Sequence, residues 1–398
     1  MKKFLLSLCI GTIGLPLSTF AQRMPALLDT IAANNTRLQA LRMQCAANIE
    51  SGRTDLTLPD PEAEVGYKVA HPKPSPNTVS VSVKQTLDWG VLNGSRRQLA
   101  RTNDRAAAAL YEQGTQEVLA EAGKVLTQVI HANRLCAELS RRLADATEIS
   151  ELYERRLKEG DANQMEVNKV RLSVSVARTA LQRAETERRN WLEQLRALNG
   201  GEAIACADTT YRVAPLPAWN QLWKEVEEKH PQLEAARSEV ERSERQWRVN
   251  KAEGLPGLTV GYTGEFTKGS RFNGVTLGIS LPLWGRTRRK VKQSHMETVA
   301  RKLDETDLRT QLQTQLRQEY ESARTLHATA ENLRKELTHV SNEQLLRRAL
   351  DEGQLSLLDY LLERSFYYEA RTALLEAERD AHWLMWLGNH TCGKRTTD

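Results

Sequence analysis

The sequence contains one unit twice, and this duplication restricts the fold more than any other feature of the chain. Four landmarks occur in the same order in both copies, at offsets of 193 to 195 residues. The pairs are Val65-Gly66-Tyr67 with Val260-Gly261-Tyr262, Trp89-Gly90 with Trp284-Gly285, Gly160 with Gly353, and residues 177–181 with residues 370–374. The shared order and spacing predict two copies of one structural unit.

Both copies have the same predicted order of elements: a helix, two short strands, and two long helices joined by a tight turn. The opening helices are predicted at about 24–52 and 219–253. The predicted divisions are a leader at 1–21, a first repeat at 22–200, a connector at 201–218, a second repeat at 219–388 and a short tail at 389–398.

The leader has the composition of a secretory signal peptide. Lys2 and Lys3 precede an apolar stretch, and Ala21 provides a small residue before a cleavage point, so the mature chain is expected to start at Gln22. An uncleaved membrane anchor is the alternative. Cys9 follows a leucine rather than a small residue, which argues against a lipoprotein. The leader predicts export across the inner membrane.

The predicted strands alternate between apolar and polar side chains, a pattern typical of sheets with two different surfaces. One face carries Val65, Val81, Val260 and Leu277 among others. Four strands are too few to close a barrel, and open strand edges pair readily with other chains. If the apolar face meets lipid, the other face lines a wet lumen that further subunits must close. The residues expected there include Glu64, Lys68, Lys84 and Glu265.

The long helices have the period of a coiled coil. Residues 95–158 contain no proline, so a helix there would extend roughly 96 Å. Apolar or small residues recur at a mean step of about 3.5 along this segment and along the helices that follow. A helix of this length buries too little against one partner, so two such hairpins indicate an assembly of several chains.

Catalytic and metal-binding motifs are missing from the sequence. It has no glycine-rich phosphate loop and no HExxH, and its eight histidines are scattered, with His131 expected on a helix surface. The net charge of +5 is spread over both signs along the helices, which is typical of solvated coiled coil rather than a nucleic-acid-binding surface. Cys206 and Cys392 each follow a long helix, and either a disulfide or two free thiols is compatible with their positions. We predict no enzyme, no cofactor, no metal site and no nucleic-acid partner.

Three segments resemble the TolC-like outer-membrane efflux proteins, and the resemblance extends over the whole mature chain. They are Tyr153-Glu154-Arg155-Arg156-Leu157-Lys158-Glu159-Gly160-Asp161-Ala162-Asn163, Leu350-Asp351-Glu352-Gly353-Gln354-Leu355-Ser356-Leu357-Leu358-Asp359-Tyr360, and Ile279-Ser280-Leu281-Pro282-Leu283-Trp284-Gly285. The first two are similar to the family's helical tips, and the third to the end of its fourth strand. The resemblance implies a mostly α-helical homotrimer with a 12-stranded β-barrel in the outer membrane of a Gram-negative bacterium. A tube of 12 helices would extend from the barrel into the periplasm.

The same resemblance implies transport partners. The chain would be the exit duct of a tripartite efflux system for small molecules or metal ions, with a periplasmic adaptor and an inner-membrane pump, an RND type being favoured. The alternatives are the outer-membrane channel of type I protein secretion and, from another class, a periplasmic coiled-coil adaptor. An adaptor would have one hairpin rather than two, each preceded by a strand pair.

The resemblance also places functional residues at the helical tips. The expected adaptor contacts are Leu157, Gly160, Asn163, Met165, Leu350, Gly353, Leu355 and Ser356. Asp359 corresponds to a family aspartate that rings the periplasmic entrance, and Glu363 would be the second acid of this ring. The family often has an aspartate where this chain has Leu362. The alternatives are that the glycines only cap helices, and that Asp359 only complements a helix dipole.

Overall fold

The structure, a computed structural model, describes residues 24–54, 56–72, 76–211, 215–281, 285–339 and 343–390. The predicted signal peptide and Cys392 lie outside these residues. Cys45, Cys136 and Cys206 have free thiols.

Over the residues that the structure describes, fourteen elements follow one another in two similar series. The first series is α1 (Met24–Asn34), α2 (Thr36–Thr54), β1 (Glu62–Lys68), β2 (Thr78–Leu87), α3 (Trp89–Leu92), α4 (Ser95–Glu159) and α5 (Gln164–Leu198). The second is α6 (Trp219–Lys229), α7 (Pro231–Ala252), β3 (Gly257–Thr267), β4 (Ser270–Ser280), α8 (Arg286–His339), α9 (Glu343–Asp351) and α10 (Leu357–His390). The duplicated plan of the sequence is therefore present in the fold.

Each predicted opening helix consists of two helices, and the break falls at corresponding residues of the two copies. Asn35 lies between α1 and α2, and its Oδ1 accepts a hydrogen bond from the Leu38 amide at 3.0 Å. His230 lies 195 residues later, between α6 and α7, where its Nδ1 accepts from the Gln232 amide at 3.3 Å. Both side chains satisfy an amide at the start of the next helix, which favours a new helix over continuation.

The four strands form one antiparallel sheet in the order β1-β2-β3-β4. The central pair, β2 with β3, joins the two copies, with Val83 opposite Tyr262. The β3–β4 hairpin turns at Gly269, whose φ of 97° lies in the left-handed region that glycine adopts without strain. Because β1 and β4 each pair with a single neighbour, both edges of the sheet are open within the described chain.

The helices form a long bundle below the sheet. Nearest the sheet, α2 packs on α4, α4 on α7, and α7 on α8. Farther away, α4 runs antiparallel to α5 and α8 to α10, and α10 also contacts α4. One buried cluster lies midway along α4 and includes Ile31, Leu126 and Leu195, and a second lies at the far tips. None of the described helices has both the length and the apolar composition that crossing a bilayer requires.

Candidate functional site

One face of the sheet carries charged and hydroxyl side chains that pair across strands. Lys84 Nζ lies 3.0 Å from Glu64 Oε2, and Lys68 Nζ lies 2.7 Å from Glu265 Oε1 across the intervening strand β2. Three threonine pairs, Thr78–Thr267, Thr86–Thr259 and Thr263–Thr276, lie within 3.1 to 3.5 Å on the same face. The four residues expected in the lumen therefore share one face, where the two charge signs compensate each other.

The opposite face is apolar and exposed. Val65 is 74% exposed, Val275 is 74% exposed and Leu277 is 78% exposed. Tyr67, Val79, Val81, Val83, Val260, Tyr262 and Ile279 are also exposed on this face. A continuous apolar surface across four strands is far larger than the isolated apolar residues of soluble surfaces, so it requires an apolar environment. Alternation of side chains across the sheet places this surface directly behind the charged one.

The first tip, between α4 and α5, is built by a glycine and an asparagine. Gly160 has a φ of 85° and ends α4, and the Asp161 amide donates to the Arg156 carbonyl at 2.8 Å. Asn163 begins α5 with a capping box, in which Asn163 and Glu166 each accept the other's backbone amide. Asn163 is exposed and Met165 is 72% exposed, so the turn presents both side chains outward.

The second tip, between α9 and α10, repeats this design with different residues. Gly353 has a φ of 73°, and the Gln354 amide donates to the Ala349 carbonyl at 2.8 Å. The Ser356 hydroxyl accepts from the Asp359 amide at 3.2 Å and donates to its carboxylate at 2.6 Å. Asp359 is thus both exposed and part of a helix cap, and Glu363 is exposed one turn later.

One tip residue lies elsewhere than the sequence suggested. Leu350, expected to contact an adaptor, is only 1% exposed and packs with Tyr153, Val167 and Leu357. Its side chain is therefore unavailable to a partner, because α9 turns it into the core that joins the two tips. Leu157 and Leu355 are half-buried against the same cluster. Arg156 also links the tips, since its Nη2 donates to the Asp351 carbonyl at 3.2 Å.

A buried ionic network above the tips was missed by the sequence analysis. Arg364 on α10 is 7% exposed, pairs with Asp145 of α4 and donates to the Tyr368 hydroxyl at 2.7 Å. Burial raises the pKa of Tyr368, which keeps its hydroxyl neutral. About two turns farther from the tip, Arg371 pairs with Glu138 at 3.3 Å. One sequence pattern could have predicted this network. Beside the apolar stripe of α10 runs a second stripe of polar residues at coiled-coil spacing, formed by Tyr360, Arg364 and Arg371.

His131 also differs from its expectation of a helix-surface position. It is 8% exposed, and burial and the nearby Arg379 lower its pKa, so the ring is neutral. His382 on α10, whose Nδ1 lies 3.3 Å from the Thr127 hydroxyl of α4, is 3% exposed and stacks on Tyr211 with ring centroids 4.6 Å apart. Both rings fill space between helices. Across the described ranges, no three His, Cys, Asp or Glu side chains are arranged to hold a metal ion.

A groove of about 600 Å³ lies between α4, α5 and α10, just above the tip core. Its walls include Leu172, Val176 and Leu358, which are 65%, 63% and 60% exposed. The groove is largely apolar, and Lys169, Asp145 and Arg364 also line it. Exposed apolar walls of this length on a helical bundle are typical of surfaces that another helix covers.

Comparisons with known proteins agree with this geometry. The sequence model of the outer membrane efflux protein family matches residues 27–201 and 222–382. Among solved structures, the Campylobacter jejuni CmeC outer membrane channel is similar with a TM-score of 0.76 and 16% identity, over 95% of this chain and 87% of CmeC. No curated protein sequence matches the chain.

Two further channels have the same fold. The open state of the Neisseria gonorrhoeae MtrE outer membrane channel aligns with a TM-score of 0.75 and 16% identity, over 94% of this chain and 91% of MtrE. The Vibrio cholerae outer membrane protein VceC aligns with a TM-score of 0.74 and 15% identity, over 93% and 96%. The family and its fold confirm the prediction of a non-enzymatic transport channel in the outer membrane, with a helical tube in the periplasm. The chain belongs to the outer membrane efflux protein family.

Proposed function

We propose that three copies of this chain form one continuous conduit, the exit duct of a tripartite efflux system. The observation that carries the proposal is the four-stranded sheet with an apolar face, a charged face and two open edges. In a bilayer, unpaired backbone groups at β1 and β4 find no hydrogen-bond partner in hydrocarbon. Pairing β4 of one copy with β1 of the next satisfies both edges and closes a barrel. Three copies then provide 12 strands.

The helices next to the sheet support the same seam. In the row α2-α4-α7-α8, the outer helices α2 and α8 each leave a face uncovered. Exposed Met296, Val299 and Leu303 form a stripe on α8, and Ala40 and Met43 are exposed on α2. Since α2 precedes β1 and α8 follows β4, the joining of neighbouring sheets brings these two faces together. Burial of both apolar faces favours association.

The proposed path is wet and non-covalent. In the barrel, the pairs Lys84–Glu64 and Lys68–Glu265 leave little net charge, so hydrated solutes of either sign can pass. At the far end, Asp359 and Glu363 of three copies would form a ring of six carboxylates that favours cations. The exposed parts of the tips, Asn163, Met165 and Ser356, would contact the periplasmic adaptor.

Single-channel recording tests the path. The purified protein in a planar bilayer should conduct with a preference for cations, and Asp359→Asn with Glu363→Gln should lower that preference while conductance remains. The matched control is Glu185→Gln with Glu193→Gln, two exposed carboxylates on α5. A protein that inserts but never conducts would rule out the channel. Equal cation preference in the wild type, the Asp359/Glu363 variant and the control would show that the two acids do not set ion selectivity.

Export in cells tests the tips. Met165→Glu should abolish export while trimers remain in the outer membrane, because the side chain is exposed and is not part of the tip core. Glu159→Lys, one residue before the turn, should also interfere with docking. Loss of trimers in either variant would mean that the tip residues serve only the fold.

A further inference from the structure

The start of α8 carries the densest cluster of uncompensated charge in the described chain. Arg286, Arg288, Arg289, Lys290 and Lys292 provide five cations within seven residues, with no acidic residue among them. All five side chains are exposed. Within the described residues, only Lys290 forms an ion pair, with Glu253 at 2.6 Å. The other four point into solvent without a carboxylate partner in the described part of the same chain.

This cluster opposes the local electrostatics of the helix. The first turn of a helix carries partial positive charge and favours acidic side chains, but α8 has none there. On other exposed helix faces, arginines pair with acidic residues one turn away, as in Arg317–Glu321 and Arg242–Glu239. A run of cations that weakens its own helix is stabilised when an external anion binds it.

The first repeat provides an internal comparison. The residues 195 positions earlier are Val91, Asn93, Gly94, Ser95 and Arg97, and only the last is charged. Its neighbour Arg96 is half-buried and pairs with Asp88 at 2.7 Å and with Glu253 at 3.2 Å. Within the described residues, the first copy therefore has one unpaired cation, Arg97, among these five positions, so the geometry of the passage does not require a cluster.

The cluster lies at the edge of the apolar surface of the sheet. Ile279 at the end of β4 is 65% exposed and Leu281 is 56% exposed, a few residues before Arg286. On neighbouring passages, Leu255 and Leu92 are 50% and 52% exposed. In an outer-membrane channel whose helices lie in the periplasm, this level is the boundary between hydrocarbon and periplasmic water. An apolar shoulder followed by cations fits a lipid headgroup layer.

We propose that Arg286, Arg288, Arg289 and Lys292 bind the phosphates of anionic phospholipids in the periplasmic leaflet of the outer membrane. Guanidinium groups pair with phosphate oxygens through two parallel hydrogen bonds, and the lysine adds a point charge. The exposed leucines of the shoulder contact the adjoining acyl chains. In a trimer, three such clusters surround the base of the barrel. The inference requires the outer-membrane position of the chain and is independent of the pump and the adaptor.

Lipid retention by the intact detergent-solubilised protein tests the inference. The probe is an uncharged detergent with equal amounts of phosphatidylglycerol and phosphatidylcholine, and native mass spectrometry counts each lipid bound. The test variant combines Arg286→Gln, Arg288→Gln, Arg289→Gln and Lys292→Gln. The matched control removes four exposed cations far from the sheet, by Arg178→Gln, Arg183→Gln, Arg189→Gln and Lys335→Gln.

The wild type and the control should retain phosphatidylglycerol over phosphatidylcholine by at least about tenfold, and the test variant should lose this preference. High salt should also reduce it, because screening weakens exposed charge pairs. If the fourfold variant does not assemble, Arg288→Gln with Arg289→Gln should lower the preference by part of that factor. The charge-preserving change of all three arginines to lysine should retain most of it.

Three results would overturn the inference. The first is an equal lipid ratio in wild type and test variant. The second is competition by millimolar inorganic phosphate as strong as that by phosphatidylglycerol, which would indicate a site for a free anion. The third is dissociation of test-variant trimers in lipid-free detergent with unchanged lipid preference. That result would assign the cations to acidic residues of a neighbouring copy, such as Glu50 near the end of its α2.

Discussion

The two longest helices, α4 and α8, occupy the same place in the duplicated plan but are buried very differently. Buried residues run along nearly the whole of α4, from Leu99 to Tyr153. On α8, the buried residues are Ser294, Thr298, Leu316, Ala323 and Ala330, mostly small, whereas Met296, Val299 and Leu303 are exposed. The long helix of the first copy thus lies in the interior of the chain, and the long helix of the second copy lies at its edge.

The contacts of the two helices separate what one chain completes alone from what needs a second chain. Helix α4 contacts helices of both copies and is complete within one chain. Helix α8 packs mainly on α7 and α10 and keeps an apolar stripe that only another chain can cover. The sheet shows the same division, since β2 and β3 are paired on both sides and β1 and β4 on one. Assembly is therefore expected to depend on α8, and the stability of each chain on α4.

The largest effect should come from a charge in the α8 stripe. Leu303→Asp places a carboxylate in the proposed seam, where an unpaired charge costs on the order of several kcal/mol. Trimers should disappear from the outer-membrane fraction, as judged by native electrophoresis after mild extraction. Gln313→Asp, at an exposed polar position of the same helix, is the control and should assemble normally. Normal trimers of Leu303→Asp would place the seam elsewhere.

The next effect concerns the interior of the chain. Leu126 on α4 is 0% exposed, so Leu126→Ala leaves a cavity and should lower the free energy of unfolding by about 2–5 kcal/mol. Leu303→Ala, at a residue 65% exposed in the chain, should leave that free energy nearly unchanged and weaken only association. Urea unfolding of the dissociated, monomeric protein measures the free energy of unfolding of each variant. Equal decreases in the free energy of unfolding for both variants would mean that α4 and α8 contribute alike to the stability of the single chain.

A smaller effect concerns the two helix breaks. The free energy of unfolding should depend on pH through His230 but not through Asn35 at the corresponding position. Burial lowers the pKa of His230 to about 4 from its ordinary 6.5, and only the neutral ring can accept the Gln232 amide. The unfolded chain takes up the proton first, so stability is full above about pH 6.5 and is lost as the pH falls toward 4. The loss should reach at most about 3 kcal/mol.

The substitution that makes the second break resemble the first tests this effect. His230→Asn retains a cap without a titrating group, so the fall in unfolding free energy between pH 6.5 and 4 should shrink relative to wild type. His230→Ala should be less stable at neutral pH by about 1 kcal/mol, because the cap is lost. An identical pH profile for wild type and His230→Asn would assign the fall to other groups.

The smallest effect should come from the glycines at the two tips, and it should be the same in both copies. No atom lies within 4 Å of a Cβ built on Gly160 or Gly353, so alanine there meets only the cost of a positive φ. Gly160→Ala and Gly353→Ala should each lower stability by about 1 kcal/mol. Glu159→Ala and Glu352→Ala are neighbouring controls without that cost. Thermal unfolding measures all four, and a large loss in one copy alone would show that the tips are not equivalent.

The sequence predicted those features that depend on local periodicity. Alternation along β1 to β4 placed Glu64, Lys68, Lys84 and Glu265 on one face, because neighbouring side chains of a strand must point to opposite sides. The end of the first long helix was also correct within one residue, since Gly160 adopts a conformation that other residues avoid.

The features that were missed depend on contacts between distant segments. His131 is buried on α4, which packs against α5 and against α10 of the other copy. Arg364 meets Asp145 across 219 residues of sequence. Leu350 is buried because the two tips share one core. The breaks at Asn35 and His230 were missed for a different reason. An asparagine or histidine inside a helical pattern caps a new helix only if the chain turns there, and that turn depends on packing.

The oligomeric mass of the mature protein, extracted gently from the outer-membrane fraction, shows whether several copies share one barrel. We predict three chains, because only further copies can pair β1 and β4 and cover the α8 stripe. Native mass spectrometry or light scattering corrected for detergent gives this number. A stable monomer in the membrane fraction would rule out the shared barrel, since a four-stranded sheet with two open edges would then stand alone in lipid.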